Sequence, residues 1–130
     1  MTINPLPYRP AGRHLLADLH GIDAALLSAV APIDALLRAA ALAAGATILR
    51  GHFHSFGERQ GVTGVLLLAE SHISIHTWPE YGFAAFDIFM CGDAAPQLAL
   101  AVIEAVLKPA GKDVHNIARG IARALDKDPS

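Results

Sequence analysis

Cysteine is nearly absent. Cys91 is the only one in 130 residues, so an internal disulfide framework is excluded, and a lone thiol suits a reducing compartment where it is either buried filler or chemistry. Charge is sparse in both signs. Ten Lys and Arg against twelve Asp and Glu leave a net charge of −2, and the basic residues are scattered along the chain. That pattern lacks the electrostatic footprint of a nucleic-acid partner. Long hydrophobic runs are missing too: the apolar stretch at 39–46 is far too short for a membrane span, and no charged segment followed by an apolar one opens the chain. The sequence therefore reads as soluble and cytoplasmic, with no membrane partner. What is abundant is apolar residues, 53% of the chain, with a mean hydropathy of +0.39. This length supports one domain with a real core, and the apolar excess predicts surface covered by another copy of the chain.

Residues 1–11 are punctuated by proline and read as a tail or arm, with a single domain over 12–130. "GRHLLADLHG" reads as a strand. "PIDALLRAAALAAGA" carries helical spacing with Pro32 early and Gly45 as a stop. "ATILRGHFHSF", "VTGVLLLA", "SHISIHT" and "FAAFDIFMC" read as strands, with "GERQG" as a turn. A second helix is expected over "APQLALAVIEAVLKPAG", starting at Asp93 or Ala94, and "KDVHNIARG" reads as a last strand. Strands around two amphipathic helices predict an α+β two-layer sandwich, an antiparallel sheet with both helices on one face.

Residues 66–93 crowd four acids, two histidines, hydroxyls, the only tryptophan and the only cysteine into one stretch. A period of two puts Ile73 and Ile75 on one strand face and His72, Ser74, His76 and Trp78 on the other. Three readings compete. The plainest is a half-solvated strand with histidines toward water. A metal reading uses His52 with His54, and His72 with His76, near Cys91, but neither paired cysteines nor a helical His-Glu motif backs it. A nucleophile reading pairs Ser71 with His76, yet parity sets the two on opposite faces of a regular strand, so their partnership needs a bend or break at Ser71.

"ESHISIHTWPEYGFAAFDIFMCGD", preceded by "GRHLLADL", "FHSF" and "GVTG", closely resembles the prokaryotic, short-chain S-adenosylmethionine decarboxylases, self-processing pyruvoyl enzymes of polyamine (spermidine) synthesis. The likeness runs from about Gly12 to Gly120, and the Glu-Ser-His-x-x-x-His-Thr-Trp-Pro-Glu run with a cysteine fifteen residues after the second histidine is specific to the family. It implies cleavage between Glu70 and Ser71 into a β chain (1–70) and an α chain (71–130). Ser71 becomes a pyruvoyl group that forms a Schiff base with the substrate amine and acts as electron sink, with neither metal nor pyridoxal phosphate.

The resemblance further assigns His76 and a hydroxyl in the "GVTG" turn, here Thr63 where relatives carry serine, to processing, and Cys91 to proton donation. By the same likeness Glu80 binds ribose hydroxyls, Phe56 stacks adenine near the sulfonium, and Trp78 belongs to the substrate-binding set. Family members are homodimers or larger assemblies with active sites at the subunit interface. Between Phe56 and Gly61 the chain departs from the pattern, since "GERQ" replaces a shorter proline-bearing loop. Glu58 in that loop brings in an alternative substrate, a basic amino acid such as arginine or ornithine. A processing-dead regulatory homologue is the remaining alternative.

Overall fold

The computed structural model describes residues 10–120; of the tail expected over 1–11, residues 1–9 lie outside the described residues, as does the segment 121–130, while Ala11 belongs to the first strand, where it pairs with Gly120. Among the described residues six strands form one sheet: β1 (Ala11–His20), β2 (Ile48–Ser55), β3 (Val62–Leu68), β4 (Ser71–Trp78), β5 (Phe83–Cys91) and β6 (Gly111–Gly120). Their order is β2-β3-β4-β5-β1-β6, and every neighbouring pair is antiparallel. Strand β1 thus separates β5 from β6, a placement that local sequence signals do not encode.

Two helices, α1 (Val30–Ala43) and α2 (Pro96–Leu107), pack on each other and on one sheet face. Helix α1 buries Ile33, Leu36, Leu37, Ala40 and Ala41, and α2 buries Ala99, Leu100, Ile103 and Leu107, the stripe expected of a helix with one apolar side. They meet Leu15, Leu19, Leu66, Ile73, Ile75, Phe86 and Ile88, the alternate residues of the central strands. This is the expected α+β two-layer sandwich. Helix α2 begins at Pro96, two to three residues later than expected, because Pro96 lacks an N–H and its fixed φ suits the first helical position. Short 3-10 turns at Ala24–Leu27 and Pro79–Tyr81 are too brief to show any periodicity in the sequence.

Among the described residues, the opposite sheet face carries no helix. It presents the remaining half of each strand's alternation: His14, Leu16 and Asp18 on β1, Thr63 and Leu67 on β3, and His72, Ser74, His76 and Trp78 on β4. His72, Ser74 and His76 of the crowded stretch emerge on this outer face, whereas Thr77 is buried on the other, its hydroxyl donating to the Leu27 carbonyl.

Candidate active site

At one end of the hairpin of β3 and β4, Leu68 pairs with Ser71 and the chain turns through residues 69 and 70. Glu70 sits at φ 55°, the left-handed region, which costs a residue with a Cβ roughly 1–3 kcal/mol. The next residue, Ser71, accepts a hydrogen bond at its Oγ from the Cys91 backbone N–H, at 3.2 Å. That donor steadies charge developing on the hydroxyl oxygen. The Cys91 thiol is buried beside Gly12 of β1, where a Cβ would stand 2.6 Å from the Met90 carbonyl and 3.0 Å from Cys91 Sγ. Burial, and secondarily the Glu70 carboxylate, push the thiol pKa up, so the group is held protonated.

At the other end of the same hairpin, Thr63 pairs across the ladder with His76, and their Oγ1 and Nδ1 atoms form a hydrogen bond of 3.1 Å. Trp78 lies two residues further along β4, with its ring 6.2 Å from His76 and 5.3 Å from Phe83. Phe56, just past β2, is exposed and meets His54 edge-on at 4.7 Å. Glu80 lies in the Pro79–Tyr81 turn, exposed like its neighbour Tyr81. Glu58 is exposed in the loop 57–60, which closes on itself through Gln60 N–H to Gly57 O and Phe56 N–H to Gly61 O.

Between the two ends lies a third group. His14 and His72 both hydrogen-bond Asp87, His14 through Nε2 to Oδ1 and His72 through Nε2 to Oδ2 at 3.2 Å. Arg119 of β6 donates to His14 Nδ1 at 2.9 Å, which makes Nδ1 the acceptor and Nε2 the protonated nitrogen. Partial burial pushes the Asp87 carboxyl up, but the bonds from both imidazoles outweigh it and leave the pKa below the ordinary value. A shallow, open cavity of about 400 Å³ borders Asp87 and His76 on this face.

The expected residues therefore separate into two groups. Glu70, Ser71 and Cys91 share one end; Thr63, His76, Trp78, Phe56 and Glu80 share the other. Strand β4 runs regularly from Ser71, with no bend beyond the Glu70 turn. Ser71 and His76 keep opposite parity and stand about 16 Å apart, at roughly 3.3 Å per residue. The same arithmetic keeps His72 and His76, about 13 Å apart along one strand, from sharing a metal. A different trio, His14, His72 and Asp87, has ligand-type atoms within 4.8 Å of one another, the kind of set a divalent cation uses once the imidazole nitrogens facing Asp87 give up their protons. His14, Asp87 and Arg119 escaped the reading of the sequence. Their period-two positions put each on the outer face, but nothing local tells which strands are neighbours.

The sequence profile of the S-adenosylmethionine decarboxylase family matches residues 13–120. A Methanococcus aeolicus protein named S-adenosylmethionine decarboxylase proenzyme is 47% identical over 110 residues, covering 84% of this chain and 93% of the relative. A proenzyme of the same name from Parasynechococcus marenigrum is 51% identical over 98 residues, covering 75% and 76%. Among solved structures, the adenosylmethionine decarboxylase of Aquifex aeolicus superposes with a TM-score of 0.79 at 42% identity, covering 87% of this chain and 93% of that one.

Proposed function

The chain belongs to the S-adenosylmethionine decarboxylase family, and from that premise we propose that it is a proenzyme that cleaves itself at Glu70-Ser71 and then decarboxylates S-adenosylmethionine for polyamine synthesis. The observation that carries the reading is the hairpin end, where a strained Glu70 precedes a serine whose Oγ already accepts a backbone N–H.

Ser71 Oγ attacks the Glu70 carbonyl carbon, the C–N bond breaks, and the nitrogen takes a proton, giving an ester. Loss of the Ser71 Cα proton then expels the Glu70 carboxylate by breaking Cβ–Oγ. Water replaces the nitrogen of the resulting dehydroalanine as ammonia, leaving a pyruvoyl group at the head of fragment 71–130. That group supplies an electron sink for decarboxylation. Cys91, protonated through burial, is suited to return a proton to the carbon that has lost CO₂. Thr63 and His76 form the proton-transfer pair for processing. Glu80 and Trp78 flank that pair, and Phe56 offers an exposed ring to adenine. The thiol acid also fits a reducing, cytoplasmic setting.

Because Ser71 and His76 are about 16 Å apart in one chain, a working site needs two. We assign the second set to another copy laid against the outer sheet face, its His76 end over the Ser71 end of the first. Leu16, Leu67, Trp78 and Ile117 on that face, all partly exposed, supply apolar surface for the contact. The relatives carry S-adenosylmethionine in their names, and an exposed Glu58 in a self-closed loop gives no support to a basic amino acid.

Intact mass of the purified protein and CO₂ release from carboxyl-labelled substrates test the proposal. Expected are two fragments, no cleavage in Ser71→Ala, and release from S-adenosylmethionine. A chain that stays whole, or release from arginine or ornithine alone, overturns it.

A further inference from the structure

Cleavage would make an end out of the middle of a hairpin, and the chemistry itself removes part of what ties that end down, leaving the β3/β4 ladder, where Leu68 faces Ser71 and Leu67 faces His72. The β4/β5 ladder begins at His72, opposite Phe89, so Ser71 is not paired in it. The one side-chain bond from residue 71 to β5 is Ser71 Oγ to the Cys91 N–H, and that oxygen leaves with Glu70. On the β3 side, the Ala69 N–H bonds the Thr47 carbonyl at 2.9 Å, so the other new end keeps an anchor. Free strand ends fray unless something holds them.

The next side chain along β4 is His72, and it is held unusually far across the sheet. It donates to Asp87 on β5, Asp87 also accepts from His14 on β1, and His14 accepts from Arg119 on β6. Four neighbouring strands are thereby linked by one hydrogen-bonded line in which each donor has an acceptor. The Phe89 ring lies beneath it, 5.9 Å from His72, 5.3 Å from His14 and 5.6 Å from the Arg119 guanidinium carbon. None of the processing or proton-donating steps uses these groups.

We infer that the line Arg119, His14, Asp87, His72 is a positioning device that holds the newly cut head of β4, and with it residue 71, in register after cleavage. The inference rests on the self-cleavage proposed above. The device matters little while Glu70 still tethers Ser71, and afterwards it becomes the side-chain restraint that supplements the ladder pairs of the new end.

The test compares Asp87→Ala in two backgrounds, the self-cleaving chain and the uncleavable Ser71→Ala chain, by hydrogen exchange at the amides of residues 72–75. Expected is an exchange rate raised about tenfold or more in the cleaved form and less than about twofold in the whole one. In the cleaved form kcat falls about tenfold while KM stays within about twofold, because residue 71 is misplaced rather than substrate binding lost. Asp87→Asn, which keeps one acceptor oxygen, recovers part of the loss. Should Asp87→Ala not fold, His72→Ala carries the same comparison and leaves the bond of His14 to Asp87 in place. Equal protection in both backgrounds overturns the inference while self-cleavage stands, as does an Asp87→Ala chain that folds but does not cleave. A wild-type chain that never cleaves overturns both.

Discussion

Cys91 illustrates how one side chain acquires a role from its surroundings. An exposed thiol is partly ionised near neutral pH, and a thiolate has no proton to give. Burial is the larger cause of the raised pKa and the Glu70 carboxylate the smaller. In the Ser71→Ala background, Glu70→Gln is therefore expected to lower the Cys91 pKa, yet leave it above the ordinary thiol value. Thiolate ultraviolet absorbance against pH reads this directly, and an unchanged titration would remove Glu70 from the account. With Cys91 in the role proposed above, the same logic sets an expected pH profile of turnover: the raised pKa keeps the thiol protonated as pH climbs, so the alkaline loss of activity falls above the ordinary thiol range. Thr63 invites a second test, because it is the hydroxyl that bonds the His76 ring nitrogen. Thr63→Val should slow cleavage about 10²-fold or more, whereas Thr63→Ser keeps the hydroxyl and should cleave at least as fast, its χ1 being freer. A gel time course of purified chains distinguishes them, and equal rates for Val and Thr would dismiss the hydroxyl.

At the scale of elements, the site depends on how closely strands approach. Gly12 pairs with Cys91 across the β1/β5 ladder, and the absent Cβ is what lets the Met90 carbonyl and the Cys91 side chain sit where they do. Gly12→Ala is expected to cost about 1–3 kcal/mol in chemical denaturation and to reduce both cleavage and turnover, since it displaces the Cys91 thiol and also the peptide group whose N–H the Ser71 Oγ accepts. Loss of stability with both rates unchanged would assign Gly12 to packing alone. Such approaches mark the boundary of what the sequence makes legible. Period two identified Ile73 and Ile75 as core and His72, His76 and Trp78 as outward, because alternation is local to one strand. It also showed Ser71 and His76 at odds. What it concealed was everything set by pairing: that β1 enters between β5 and β6, that Asp87 consequently meets His14 as well as His72, and that Arg119, near the far end of the described chain, completes the line. Helix α2 was legible from its apolar spacing, but its start was not, since Asp93 and Ala94 carry plausible opening signals and only the geometry of Pro96 decides.

For the whole molecule, the separation of the two groups of site residues becomes a statement about assembly. A regular strand holds Ser71 and His76 about 16 Å apart, and closing that gap within one chain means breaking β4, whose Ile73 and Ile75 are fully buried. Two copies related by a twofold axis across their outer faces avoid the cost, because each supplies the end that the other lacks. The arrangement predicts complementation between inactive chains. Ser71→Ala has no nucleophile but an intact His76; His76→Ala has the nucleophile but lacks the proton-transfer partner. Each alone should stay whole. Co-expressed, they form mixed dimers in which the His76 of the first chain faces the Ser71 of the second, so the His76→Ala chain should now be cleaved, and only that chain. A Ser71→Ala/His76→Ala double variant, which offers the same surface without the imidazole, should not rescue it. Mass spectrometry of differently tagged chains reads the outcome. If mixed dimers form and the His76→Ala chain remains whole, the two groups act within one chain and β4 must open to bring them together.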